Sequence, residues 1–389
     1  MTYAPAWQGL APAELLRPTH ASPLPFPLGA DRSTYFYRAR NAIYHLARSL
    51  RVERRDPILV PDYHHGNEVA ALRAAGMDVK FYPIRRDFSP DLDALERLCR
   101  SGASALFVIH YLGWPQPLDA MEAMCRRHDL PMIEDCALSL LSEDRGAPLG
   151  SRGDYAIYCL YKTLPVPNGG LLMQNSRVRP WLDRPSQRPC SRAAVAGRGA
   201  ELMLEWLRGY ADPVGMVFTG AKRAAGRALS AFGVRREPVG DTGFSVEDSD
   251  LAMSSLCHRL IRRLDYESIR AKRRANFERL RGALEGRVVL PRSDLPEGMC
   301  PLFFPLLVSD KQAASRQLLH RGIGNVEFWN QGDAEAKARM TPDVRWLRSH
   351  VLEIPIHQGI GASHLDYMAR QVLALGSLVD PGTIRRSLR

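Results

Sequence analysis

This 389-residue chain lacks any apolar run approaching the roughly 20 residues that a membrane-spanning helix needs. Its first residues also lack the basic patch and apolar segment of a secretory leader. Cysteine pairs are missing as well. The seven cysteines are scattered without metal-ligand spacing, and an odd number does not complete a disulfide framework, so a reducing cytoplasm is the expected location. No nucleic-acid-binding motif stands beside the basic residues, which removes nucleic acid from the expected partners despite a net charge of +11. Acid is scarce in one place. Between Arg177 and Arg236 there are twelve basic residues against four acids, so this stretch carries most of the net charge and the remainder is close to balanced.

What is present is 45% hydrophobic and 24% charged, the profile of a globular protein long enough for more than one lobe. Residues 1–34 are rich in proline and leucine, with the run from Pro23 to Pro27, and read as an extended arm rather than a helix or strand. Ala42, Ile43, Leu46, Ala47 and Leu50 recur at helical spacing and predict a helix over 38–50. Short apolar runs and helical patterns then alternate. Strands are expected at 58–60, 79–82, 105–109, 131–133 and 155–161, with helices at 66–75, 89–99 and 118–127. Ser89 and Pro90 read as N-cap and first residue of the second of these helices. The alternation predicts an α/β fold, a mainly parallel sheet with helices on both faces.

The large domain is expected over 35–245, with a basic helical insertion at about 177–239 holding amphipathic helices at 200–208 and 214–232. Such a segment can lie on an anionic membrane, meet a diphosphate-bearing substrate or present a solvated face, and all three stay open. Residues 246–389 predict a long connecting helix over 250–284 and a smaller C-terminal α/β domain, with a strand at 302–308 and a helix at 312–320.

Chemistry concentrates between Pro131 and Met173. One apolar run ends in Glu134 and Asp135, another in Lys162. On neighbouring parallel strands, both side chains would emerge at the edge where open α/β sheets hold ligands. An acid and an amine in one crevice suit pyridoxal phosphate, whose aldehyde a lysine can hold and whose ring nitrogen a carboxylate keeps protonated. Spacing alone leaves a purely structural role for both equally open.

Glu134-Asp135-Cys136-Ala137, Gly153-Asp154, Lys162 and Gly169-Gly170 stand in an order that resembles the signature of the DegT/DnrJ/EryC1/StrS family of pyridoxal-phosphate aminotransferases. The resemblance runs more loosely from about Tyr35 to about Leu375. It implies a fold type I architecture, pyridoxal 5'-phosphate as cofactor, Lys162 as the Schiff-base lysine and Asp135 at the ring nitrogen. By the same resemblance His65, with His64 one step away, stacks on the ring. Arg40 and Asn41 stand where a small-residue turn usually holds the phosphate. Cys159 takes the place of a serine facing it, Ser139 is the nearest polar group to a replaced glutamine, and Asn168 sits where common members carry glutamate. Phe328 and Trp329 fall among substrate-lining positions. The His64–His65 pair has no third ligand spaced for a metal, so none is expected.

The implied activity moves an amino group from an amino acid, glutamate by resemblance, to the keto group of a nucleotide-linked sugar. The implied partners are small-molecule donor and acceptor and a second copy in a homodimer, with peripheral contact to an anionic membrane through 177–239. A non-catalytic binding or scaffold protein of the same fold, or a pyridoxal-phosphate lyase or dehydratase, are the alternatives.

Overall fold

Runs that are apolar throughout, rather than alternating, build the centre of the molecule, as strands covered on both faces require. The computed structural model describes residues 2–19, 23–53, 56–176, 185–210, 243–330 and 332–379. In chain order the strands are β1 (Ser33–Phe36), β2 (Ile58–Pro61), β3 (Val79–Tyr82), β4 (Ala105–Ile109), β5 (Met132–Asp135), β6 (Glu143–Asp144), β7 (Ala147–Pro148), β8 (Tyr155–Cys159), β9 (Gly170–Gln174), β10 (Phe303–Leu307) and β11 (Val351–Pro355). Seven of them form one sheet in the order β1-β9-β8-β5-β4-β2-β3. From β3 to β8 every pairing is parallel, while β9 joins β8, and β1 joins β9, in antiparallel fashion. Strands β2, β4, β5 and β8 are buried at every residue.

Helices Ala39–Glu53, Asn67–Ala74, Leu92–Arg100 and Leu118–Arg127 connect the first strands. A second lobe pairs β10 with β11 and packs them with helices Lys311–His320, Pro342–His350 and Ala362–Leu373. Their starts follow capping chemistry: Asp310 and Thr341 each accept the backbone N–H three residues on.

Several expectations need correction. The arm is not wholly extended, since Pro12–Leu16 forms a short helix and β1 begins at Ser33, within the expected arm. The helix at 89–99 starts later: Asp91 caps it by accepting from Ala94, and Pro90 bridges to Ile84 instead. The run 155–161 is a strand only to Cys159, after which Leu160–Thr163 turns once as a helix. The pattern over 250–284 is two helices, Ser255–Ile261, which ends at Arg262, and Tyr266–Ala283, which Asp265 caps by accepting from the Ser268 amide. In the basic insertion the helix runs from Arg192 to Tyr210, and the helix expected at 214–232 lies outside the described residues.

The arm wraps its own chain. Ala4 bridges to Ile323 in the C-terminal lobe, and the Leu10 amide donates to the Leu202 carbonyl at 3.0 Å. Among the described residues no helix is long and apolar enough to cross a membrane. None of the seven cysteines is in a disulfide.

Candidate active site

Successive residues of a strand point to opposite faces, and Glu134 and Asp135 are successive. Glu134 turns into the protein. Its carboxylate accepts from the amides of Gly150, Arg152 and Gly153 and lies 2.9 Å from His110 Nε2. The Gln116 amide donates to His110 Nδ1, so Nε2 carries the proton toward Glu134. His110, Glu134 and Cys136 bring three potential metal ligands within 4.8 Å of one another. The four donors already on Glu134 use its lone pairs and leave the trio a structural cluster.

Asp135 turns the other way, into a cleft of about 420 Å³. Register places Ile109, Asp135 and Ile157 side by side across β4, β5 and β8. The one-turn helix after β8 then brings Lys162 into the same cleft. Its Nζ lies 5.1 Å from the centroid of the Phe328 ring. Burial, and then the neighbouring Glu68, push the Asp135 carboxyl up to about 7, against the opposing pull of the Ala137 amide and Lys162. The Ala137 amide donates to Asp135 at 2.9 Å.

Five of the nine predicted site residues line this cleft: Lys162, Asp135, His65, Arg40 and Cys159. Burial holds the His65 imidazole below its ordinary range, and its Nδ1 is buried without a partner among the described residues. Arg40 reaches the cleft from the first turn of Ala39–Glu53 and donates to the Gly243 carbonyl at 2.5 Å. Cys159 is fully buried, and burial raises its thiol pKa.

The other four are not among the lining residues. His64 points away and stacks on Phe81 at 5.3 Å, with burial pushing it down to about 4. Asn41, about 100° around the helix from Arg40, donates to the Asp248 carbonyl at 2.7 Å. Ser139 is buried and is not among the lining residues. Asn168 accepts from the Ser254 amide and donates to Ser254 Oγ, which ties the turn after Lys162 to the start of Ser255–Ile261. A small residue and a polar one at matching sequence positions do not reveal which way a side chain faces.

Residues the sequence did not single out complete the cleft. Glu68 is buried there and accepts from the amides of His65 and Gly66, which fixes the turn that presents His65. Its signal was modest: an acid in the first turn of a helix. Trp7 from the arm and Arg198 from the inserted helix also line it, and no local pattern marks either. Phe328 and Trp329, from the C-terminal lobe, also line the cleft.

Residues 36–178 match the model of the DegT/DnrJ/EryC1/StrS aminotransferase family. The chain is 34% identical over 105 residues to an L-glutamine:2-deoxy-scyllo-inosose aminotransferase of Streptoalloteichus tenebrarius, covering 25% of this chain and 25% of that protein. It is 28% identical over 207 residues to an L-glutamine:scyllo-inosose aminotransferase of Streptomyces griseus, covering 51% and 38%. The chain therefore spans well under two thirds of either relative. Its fold is similar to that of PseC of Helicobacter pylori, an aminotransferase involved in the biosynthesis of pseudoaminic acid. The TM-score is 0.69 at 14% identity, over 96% of this chain and 99% of that one.

Proposed function

We propose, from the match of residues 36–178 to the DegT/DnrJ/EryC1/StrS aminotransferase family model, that this chain is a pyridoxal-phosphate-dependent aminotransferase. In this reading the amino group passes from glutamate or glutamine to a keto carbon of a sugar or cyclitol. A nucleotide-linked sugar is the finer form of that acceptor, with a cytoplasmic homodimer as the working state. The observation that carries the reading is the delivery of Asp135 and Lys162, from the adjacent parallel strands β5 and β8, into one cleft.

The cleft fits the cofactor. A buried carboxyl raised to about 7 gains a natural partner in a protonated ring nitrogen. The Lys162 amine stands in the same space beside Phe328. Arg40 and the first turn of a 15-residue helix reach the cleft, where they would draw the phosphate by charge and by free backbone donors. The His65 ring would pack on the heterocycle. Pyridoxal phosphate supplies an electron sink and an aldehyde to this site. The chain's own residues would supply the rest: Asp135 would hold the ring nitrogen protonated, Lys162 would hold the cofactor and be the group placed to move a substrate proton, and the aromatic wall would limit water.

The test is a donor half-reaction. Purified, cofactor-loaded protein mixed with glutamate or glutamine should change its visible spectrum and release the matching keto acid, and Lys162→Ala should do neither. A wild-type protein that takes up no cofactor would instead favour the scaffold alternative, and elimination without keto acid release would favour a lyase.

A further inference from the structure

Among the lining residues outside the matched family region are Trp7 from the arm and Arg198 from the helix Arg192–Tyr210. They arrive together because arm and helix are bound as one unit. The Tyr3 hydroxyl donates to Glu205 at 2.8 Å, and the Arg208 guanidinium lies 3.8 Å from the Tyr3 ring centroid. The Leu10 amide donates to Leu202, and a Cβ at Gly9 would come within 2.3 Å of the Trp206 nitrogen. At its other end the arm is pinned to the C-terminal lobe, where Ala4 exchanges backbone bonds with Gly322 and Gly324 at 2.9 and 2.7 Å.

The ends of this strap hold Trp7 edge-on against Phe303 and Phe328, at 5.2 and 5.7 Å. Phe328 is the ring beside Lys162. Arg198 pairs with Glu201 at 2.8 Å through one terminal nitrogen, while its Nε is buried without a partner among the described residues. Arg198 and Trp7 line the same cleft, and a guanidinium beside an indole can recognise a carboxylate or phosphate whose carrier has an apolar face.

We infer that Trp7 and Arg198 form a substrate subsite, in which Arg198 binds an oxyanion, carboxylate or phosphate, of a substrate whose apolar face lies against Trp7. This deepens the aminotransferase reading and rests on it. The subsite belongs to the strap and the inserted helix, so it sets specificity without touching the residues that hold the cofactor.

The test uses full-length, cofactor-loaded protein and two probes, glutarate and inorganic phosphate, followed by tryptophan fluorescence, with Trp7→Phe isolating the Trp7 signal. The expected result is saturable quenching of that signal by at least one probe, weakened at least tenfold in Arg198→Gln and partly restored in Arg198→Lys. Gly9→Val, which pushes the arm off the helix and leaves Arg198 in place, should weaken the same binding at least threefold. Equal probe affinity in Arg198→Gln and wild type, or quenching that survives unchanged in Trp7→Phe, overturns the subsite. A donor KM that rises tenfold in Arg198→Gln assigns the oxyanion to the amino donor, and an unchanged donor KM assigns it to the acceptor. The two proposals fail separately. A glutamate-driven spectral change without probe binding sinks only the subsite, and probe binding without any spectral change sinks only the aminotransferase reading.

Discussion

The guanidinium of Arg273 donates to the carbonyl oxygen of Thr163 at 3.1 Å, one residue past Lys162. That carbonyl belongs to the end of a one-turn helix, where backbone acceptors lack intrahelical partners. Gln358 donates to the same oxygen at 3.2 Å and itself accepts from Arg273 Nε at 2.8 Å. A further Arg273 nitrogen donates to the Leu302 carbonyl at 3.0 Å. One fully buried cation thereby joins the turn that carries Lys162 to the C-terminal lobe. Burial pushes its pKa down to about 10, which still leaves it charged at neutral pH.

Arg273→Leu should therefore cost about 3 kcal/mol or more, since it strands several buried acceptors at once. Denaturant unfolding checks the loss. Arg273→Lys keeps the charge but not the fork, so it should fall between the two in stability. It should also shift the pH at which the bound cofactor's visible band changes, because the Lys162 turn is held less firmly. A wild-type midpoint in Arg273→Leu would remove the clamp from the account.

Asp135 gives a pH dependence with a defined sign. Its folded pKa of about 7 lies above the ordinary carboxylate value. The folded state then binds more protons than the unfolded chain between about pH 4 and 7, and stability falls as pH rises through that window. Cofactor-free Asp135→Asn should be more stable than cofactor-free wild type at pH 8, by up to about 4 kcal/mol, with the gap closing toward pH 4. The same variant should bind pyridoxal phosphate at least tenfold more weakly. Melting curves at the two pH values and a cofactor titration measure both, and a pH-independent gap would mean that Asp135 is not the group responsible.

The alternation of strands and helices was legible because β2, β4 and β8 are apolar throughout and β5 is apolar up to its acidic end, a pattern that a doubly covered sheet requires. Asp135 and Lys162 were legible because each closes such a run. What could not be read was direction. Arg40 and Asn41 are neighbours in sequence, yet one reaches the cleft and the other a loop carbonyl. Trp7 and Arg198 were invisible for a different reason: each enters the cleft through contacts with residues nearly 200 or more positions away, and no local spacing encodes that. The antiparallel β1 was hidden by the proline-rich stretch before it, which reads as arm until β9 supplies its partner.

Gly170 sits where β9 passes the start of the helix that carries Arg40. A Cβ there would come within 2.2 Å of the Arg38 carbonyl carbon and 2.4 Å of the Ala39 nitrogen, both of them backbone. Neither can swing aside as a side chain would. Gly170→Ala should cost roughly 1–3 kcal/mol as overpacking. It should also weaken inorganic phosphate or cofactor binding by displacing the first helical turn. Gly197→Ala, where a Cβ meets nothing within 4 Å, is the control and should leave the unfolding midpoint near wild type or slightly raised.

His357 ties the arm to the C-terminal lobe through a second titration, with the opposite sign to that of Asp135. Its Nε2 donates to the Pro5 carbonyl at 3.0 Å, its Nδ1 accepts from the Gly359 amide at 3.2 Å, and Gln8 Oε1 lies 2.9 Å from Nδ1. Burial, reinforced by the nearby Arg273, pushes the imidazole down to about 3, so the folded protein holds it neutral. The unfolded chain takes up that proton near the ordinary value of about 6.5. Between roughly pH 6.5 and 3 the unfolded state binds more protons, and stability falls as pH falls. The slope for one group is at most about 1.4 kcal/mol per pH unit, so lowering the pH from 7 to 5 should cost wild type on the order of 2 kcal/mol through this residue. Urea midpoints at pH 7, 6 and 5 measure it. In His357→Gln, which keeps a donor for Pro5 but cannot titrate, the decline should be shallower by that amount. An equally steep decline in the variant would place the acid sensitivity elsewhere and leave His357 as a hydrogen-bonded strut alone.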